Sequence, residues 1–231
     1  MATARGRLGS GAEYLFRTRD GLAALGVRDA ILDHLADAVA AGMDVYVEKP
    51  FAVNFADGLR AYRAVKASNR VVQVGTQQRS GEHFLKARDL VRSGRLGKVS
   101  FVRTWNYGND YPQGIGNPPD SEPPEDLDWN MWLGQAPKVD YIKERCHYQF
   151  RWWYEYSGGK FTDWGAHHVD IATWAIGEDK EGMGPIEIDG TDAKHPVAYK
   201  DGYATEDNKY NTAHDFAVNC KFASGVQMVI T

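Results

Sequence analysis

The stretch from Ala30 to Gly75 leaves this chain few folds to choose from. Ile31, Leu32, Leu35, Ala38 and Val39 recur at helical spacing, and Gly42 supplies a stop. Asp44-Val45-Tyr46-Val47-Glu48 follows as a short β-branched and aromatic strand. Asn54 is placed to cap a second helix that carries Leu59, Tyr62 and Val65 to about Ser68. Val71-Val72-Gln73-Val74-Gly75 then reads as a second strand, apolar enough to be buried on both faces. Helices alternating with strands at such short spacing mark a parallel α/β sheet. A third helix, about Glu82 to Arg92, ends near Gly94. Residues 1–26 contain no run of four strand formers and are expected to be irregular or weakly helical.

After Lys98 the rhythm changes. Val99 to Trp105 is an alternating strand, and Pro112, Pro118, Pro119, Pro123 and Pro124 punctuate a long loop between Asn109 and Glu125. A helix is predicted over about 165–176, with strands near 186–188, 215–222 and 226–231. Strands joined by loops rather than helices give a mostly antiparallel sheet, so a domain boundary is expected near residue 96. The fold class is therefore α/β followed by α+β. A parallel sheet with helices occupies 1–95, and an open, mostly antiparallel sheet with helices occupies 96–231. The last strand runs to the C-terminus without a capping element, as in a chain cut short.

Composition removes several functions. With 27 basic and 31 acidic residues the net charge is −4, so no basic excess exists to neutralise phosphates, and a nucleic-acid partner is not expected. No apolar run approaches the roughly 18 residues of a membrane span, and Met1 to Tyr14 has no apolar signal core. A cytoplasmic location is the expectation. Cys146 and Cys220 are too few and too far apart for a disulfide framework or zinc knuckle. The 7 Trp and 12 Tyr suit a polar, ring-lined small-molecule site, although large cores use aromatics too.

Two clusters carry chemistry. Glu48-Lys49-Pro50 sits at the carboxyl end of the first strand, where open parallel sheets bind ligands. Pro50 bars residue 49 from the helical region. A lysine partly stripped of water can pass protons near neutrality; the plainer reading is a solvated lysine after a strand. The second cluster runs from Gly158 to Asp170. A helix starting near Asp163 puts His167 on a stripe with Asp163 and Asp170, an arrangement suited to a general base. His168 falls with Ile171, Ala172 and Ala175 and is expected in the core, while Asp163 has an alternative use as an N-cap. Asp163, His167, Asp170 and His147 are also a conceivable metal set, but no strong metal spacing is present and no metal is expected. Gly6, Gly9 and Gly11 do not form the G-x-G-x-x-G phosphate turn.

Five motifs in order make the chain similar to the glucose–fructose oxidoreductase / inositol dehydrogenase / rhizopine catabolism (Gfo/Idh/MocA) family. They are Val47-Glu48-Lys49-Pro50, Val74 to Arg79, Gly94 to Val99, Asp128 to Gly134, and Gly158 to Asp170. The resemblance implies a Rossmann domain followed by an open-sheet domain. It also implies bound NAD or NADP and oxidation or reduction of a sugar or polyol. Carried over by position, Lys49, Asp163 and His167 are the catalytic residues, with His167 taking the substrate hydroxyl proton. Glu48, Pro50, Gln77 and Arg79 would lie at the cofactor. A homo-oligomer through the open sheet is implied as well.

The chain departs from the family at its start. The usual strand, G-x-G-x-x-G and helix are missing, and Gly26 to Ile31 replaces the usual T-P-x-x-x-H. The expectation is a fragment whose nucleotide-binding domain is incomplete and whose substrate domain is truncated. Such a chain lacks the amides that hold a pyrophosphate and should bind NAD weakly or not at all. Two alternatives stay open. One is NAD-dependent glycoside cleavage on the same fold, favoured slightly by Trp129, Trp132, Trp152 and Trp153. The other is a non-catalytic carbohydrate-binding remnant.

Overall fold

The computed structural model describes residues 5–7, 13–15, 31–52, 55–106, 115–134 and 136–231. The expected cap at Asn54 and the start of the proline-punctuated loop lie outside them. By density of contacts the chain forms two compact units, Met1–Gly75 with Asp120–Cys146, and Thr76–Pro119 with His147–Thr231. These units differ from the segments 1–95 and 96–231. The third helix, Glu82–Arg92, packs on a helix of the second unit, and 120–146 returns to the first.

In the first unit, β1 (Arg5–Arg7) and β2 (Glu13–Leu15) precede α1 (Ile31–Ala40), β3 (Val45–Glu48), α2 (Phe55–Ala67) and β4 (Val72–Gly75). The two early strands correct the expectation of an irregular N-terminal stretch. β1 pairs antiparallel with β2 and with β3, so backbone pairing made a strand from a sequence with no strand-forming pattern. β3 and β4 are parallel, as the helix–strand alternation requires, and the sheet order is β2-β1-β3-β4. Leu35, Ala38, Val39, Val45, Val47 and Ala61 form the core beside Val72 and Val74. Val45 and Val47 are buried while Tyr46 and Glu48 are exposed, so α1 and α2 cover one face of β3. β4 follows suit: Val71 and Gln73 are exposed, and the expected burial of this strand on both faces is not found. Segment 120–146 contributes the short helix α4 (Trp129–Leu133).

The second unit opens with a 3₁₀ turn (Gln77–Ser80), α3 (Glu82–Arg92) and β5 (Phe101–Thr104). After α4 of the first unit come 3₁₀ turns at Lys143–Arg145, still in that unit, and at His147–Trp152. Then follow α5 (Gly159–Thr162), α6 (Trp164–Ile176), β6 (Pro185–Asp189), the small hairpin β7 (Tyr199–Lys200) and β8 (Tyr203–Ala204), β9 (Val218–Phe222) and β10 (Gln227–Ile230). The main sheet has order β5-β10-β9-β6, with β5 and β10 parallel and the other pairs antiparallel. α6 lays Val169, Ala172 and Ile176 on Phe216, Cys220, Phe222, Met228 and Ile230. Among the described residues no helix is long and apolar enough to cross a membrane.

Candidate functional site

The glycines of the Gly158–Asp170 block are there for close packing. Gly159 has φ +66°, and a Cβ built on it would lie 2.7 Å from the fully buried Thr212 side chain. A Cβ on Gly158 would run into Thr162. The tight backbone ends α5 and starts α6 around Asp163, whose φ and ψ are −81° and −91°.

Asp163 stands at the N-cap position of α6 but makes no side-chain capping bond. Its Oδ2 instead accepts a hydrogen bond from Arg151 Nη1 at 2.5 Å. Arg151 is itself fixed: its guanidinium lies 3.8 Å over the Tyr148 ring, and Nε donates to the Tyr148 carbonyl at 2.9 Å. One turn later the burial of the two histidines reverses the expectation. His167 is buried and His168 is half-buried. α6 does not face the sheet as a bare cylinder, because α5 folds back over its first turn. The Lys160 carbonyl lies 3.3 Å from a Cβ built on Gly165. The His167 ring meets the edge of Trp164 at 6.2 Å between centroids.

Asp170, the second carboxylate expected beside His167, is bound to Arg79. Arg79 Nε and Nη2 donate to Asp170 at 2.8 and 2.7 Å, and Nη1 donates to Asp179 Oδ2 at 3.0 Å. The Asp170 hydrogen bond, partly offset by burial, raises the Arg79 pKa still further, so the clamp is permanently charged. The guanidiniums of Arg79 and Arg88 lie 5.3 and 4.4 Å from the centroid of the Trp174 ring. Arg79 thus ties the 3₁₀ turn after β4 to α6. Gln77 lies exposed on that same turn.

Lys49 is half-buried at the carboxyl end of β3 in the first unit, between exposed Glu48 and Pro50. Gly75 closes β4 beside it in register: Glu48 pairs with Gly75, and a Cβ there would meet the Tyr46 hydroxyl at 2.7 Å. The tryptophans that favoured glycoside cleavage serve packing. Trp152 and Trp153 are buried against Tyr210, and Trp129 stacks on Trp132 at 4.8 Å while donating to the Val139 carbonyl. No group of three His, Cys, Asp or Glu side chains among the described residues is arranged to hold a metal ion.

Within the second unit a cavity of about 570 Å³ opens at the carboxyl ends of β5 and β10. Arg103, Asn106, Lys160, His214 and Asp215 line it with Trp105 and Phe216. The Asn106 amide nitrogen is 3.5 Å from a Cβ built on Gly165, two residues before His167, so the cavity borders the first turn of α6. The sequence reading missed Lys160, Arg103 and Asn106. Lys160 was visible inside the glycine block, yet nothing in its spacing announced that it would be buried. Nearby, the Tyr154 hydroxyl pairs with His195 Nε2 at 3.2 Å, and burial, with His214 adding to it, pushes the His195 pKa down.

The family model for the C-terminal alpha/beta domain of the Gfo/Idh/MocA oxidoreductases matches residues 82–212, more than half of the chain. The chain belongs to the Gfo/Idh/MocA oxidoreductase family. An inositol 2-dehydrogenase of Gluconacetobacter diazotrophicus is 39% identical over 71 residues, covering 30% of this chain and 21% of that protein. The inositol 2-dehydrogenase of Rhizobium meliloti is 27% identical over 187 residues, covering 77% of this chain and 44% of that one. The solved structure of GenD2 from gentamicin A biosynthesis, in complex with NAD, superposes with a TM-score of 0.54 at 17% identity, covering 88% of this chain and 44% of that one. The chain therefore spans less than half the length of these relatives. The family comprises oxidoreductases, and the mixed α/β architecture is theirs.

Proposed function

We propose that this chain serves an NAD- or NADP-dependent oxidoreductase that moves a hydride between the nicotinamide and a carbinol carbon of a sugar or polyol. The observation that carries the reading is the His167–Asp163 turn of α6, with Arg151 holding Asp163, at the rim of a polar cavity. Membership of the family supports it. We assign residues 1–95 to the nucleotide side and 96–231 to the substrate side.

The described residues fit one end of the cofactor better than the other. Glu48, Lys49 and Pro50 at the carboxyl end of β3 would take the nicotinamide end, in the place where parallel sheets hold such ligands. No glycine-rich turn that leads into a helix lies among the described residues to cradle the pyrophosphate. When bound, the nicotinamide supplies the hydride acceptor.

The chain's own groups do the rest. Removing hydride from a carbinol requires its hydroxyl proton to leave, and His167 accepts that proton at a ring nitrogen. Asp163, fixed by Arg151, stands at the N-cap position of the turn on which His167 sits and helps to set its course. The Lys49 ammonium stabilises the developing alkoxide. Arg79 acts at a distance, as a positioning residue that registers α6 against the 3₁₀ turn after β4. A homo-oligomer formed through the open sheet completes the proposal.

The test is nicotinamide reduction across a panel of polyols and aldoses. Turnover with at least one is expected at cofactor concentrations high enough to offset weak binding, and His167→Asn and Lys49→Met should each lower kcat by about 10²–10⁴-fold. Release of an aglycone without net reduced nicotinamide would replace dehydrogenation with glycoside cleavage. Unaltered turnover in both variants would remove both residues from the mechanism.

A further inference from the structure

His214, Asp215 and Phe216 form one wall of the cavity at the ends of β5 and β10, and that wall is hung from the main-chain amides just before it. The Asn211 and Thr212 amides donate to the Trp152 carbonyl at 3.1 and 3.2 Å, and the His214 amide donates to the Lys194 carbonyl at 2.9 Å. Between them, the Ala213 amide donates to a side chain, the Tyr154 hydroxyl, at 3.2 Å. Tyr199 Oη adds a bond to the Asn211 carbonyl at 2.7 Å. The Asn211 side chain accepts from the Tyr154 amide and donates to Glu155 Oε2.

Tyr154 is the decisive group. Its oxygen accepts from Ala213, so its single proton goes to a different partner, and His195 Nε2 stands 3.2 Å away. The phenol therefore donates to a neutral imidazole whose own proton sits on Nδ1. The edge of the Tyr199 ring holds the other side of His195, 4.9 Å between centroids. Burial, with His214 adding to it, lowers the His195 pKa and keeps the ring neutral at pH 7. A protonated His195 carries N–H on both nitrogens. Nε2 then turns from acceptor to donor, the Tyr154 oxygen faces two N–H groups, and the phenol proton loses its acceptor. The new charge arrives next to Lys194 in the chain and near His214 on the paired segment. Asp215 offers little compensation, because Lys194 Nζ already holds its Oδ2 at 2.7 Å, and Glu155 is tied to Asn211. His195 is half-buried and Tyr154 is exposed, so protons from solvent reach the pair.

We propose that Tyr154 and His195 form a proton-operated latch on the cavity wall. With His195 neutral, the Tyr154 hydroxyl is turned toward it and secures the Ala213 amide. With His195 protonated, that hydrogen bond reverses, Ala213 is released, and the wall carrying His214, Asp215 and Phe216 loosens. The latch goes beyond the oxidoreductase reading and does not depend on which ligand the cavity takes.

Hydrogen exchange of the 231-residue chain tests the latch without a ligand, read amide by amide by NMR and corrected for the intrinsic pH dependence of exchange. Between about pH 7.5 and about pH 5 the protection of the Ala213 amide should fall at least about ten-fold, as the loss of one hydrogen bond requires. The Asn211 and Thr212 amides, bound to the Trp152 carbonyl, should change by less than about three-fold. His195→Gln presents a carboxamide oxygen to the Tyr154 proton at every pH, so its Ala213 protection should stay high throughout. Tyr154→Phe removes the acceptor and should show low protection at both ends of the range. Circular dichroism checks that each variant is folded, and if Tyr154→Phe is not, the comparison of the parent with His195→Gln decides alone. Ala213 protection that does not change with pH in the parent overturns the proposal. A fall of the same size in His195→Gln, or parental protection in folded Tyr154→Phe, overturns it as well.

Discussion

Replacing Arg79 with methionine removes the clamp between the 3₁₀ turn and α6 and should unfold the second unit at a markedly lower temperature. The guanidinium donates from Nε and Nη2 to Asp170 and from Nη1 to Asp179, with side-chain exposures of 32%, 18% and 15% for the three residues. Hydrogen bonds to charged partners are worth about 1.5–3 kcal/mol each when well shielded, and exposed ion pairs about 0–1 kcal/mol. With a third of Arg79 in water the bidentate pair is discounted to about 1–2 kcal/mol, and the Asp179 bond to about 0.5–1 kcal/mol. Asp170 then loses its guanidinium while Asp179 keeps Arg92 Nη2 at 3.3 Å, so the loss should total about 2–3 kcal/mol. For a chain of this size that is a fall in Tm of roughly 4–12 °C, read by circular dichroism. Arg79→Lys should recover under half of it, because an ammonium cannot form the fork. The double-mutant cycle with Asp170→Asn should give a coupling of about 1–2 kcal/mol. A Tm for Arg79→Met within about 1 °C of the parent would refute the clamp.

Gly159→Ala should cost about 2–4 kcal/mol in urea unfolding, because the added methyl meets buried Thr212 at 2.7 Å in a left-handed backbone; a neutral result would show that the block closes differently. The depressed pKa of His195 gives stability a sign with pH. The folded chain binds fewer protons than the unfolded one just below the ordinary His value of about 6.5, so Tm should fall as pH drops through that window. His195→Gln should flatten that part of the Tm profile between about pH 5 and 6.5, and an unaltered slope would assign it to other groups. The chain as it stands should bind NAD weakly, and calorimetry showing tight, stoichiometric binding would contradict the missing phosphate turn.

The sequence made some of this readable and hid the rest for identifiable reasons. Strands β3 and β4 with α1 and α2 were legible because Val45, Val47, Leu35 and Val39 obey two clean periods. β1 and β2 were not, since neither Arg5–Arg7 nor Glu13–Leu15 belongs to a run of four strand formers. The motif spacing brought Asp163 and His167 onto one turn. It could not show that His167 would be buried and His168 only half-buried, because α5 packs over the first turn of α6, where a stripe on α6 alone has no neighbour. The roles of Arg79 and Arg151 were equally hidden. Arg79 reaches Asp170 across 91 residues and Arg151 reaches Asp163 from a 3₁₀ turn, contacts that no local pattern records. Lys160 could be seen in the sequence, but its burial on Trp152 could not.

One measurement bears most directly on the central proposal, that the His167 imidazole takes the proton of a carbinol as its hydride leaves. It is the rate of nicotinamide reduction by the accepted sugar in His167→Asn, with Lys49→Met measured in parallel. His167→Asn should lower kcat by about 10²–10⁴-fold. A His167→Asn variant with parental kcat would contradict the proposal.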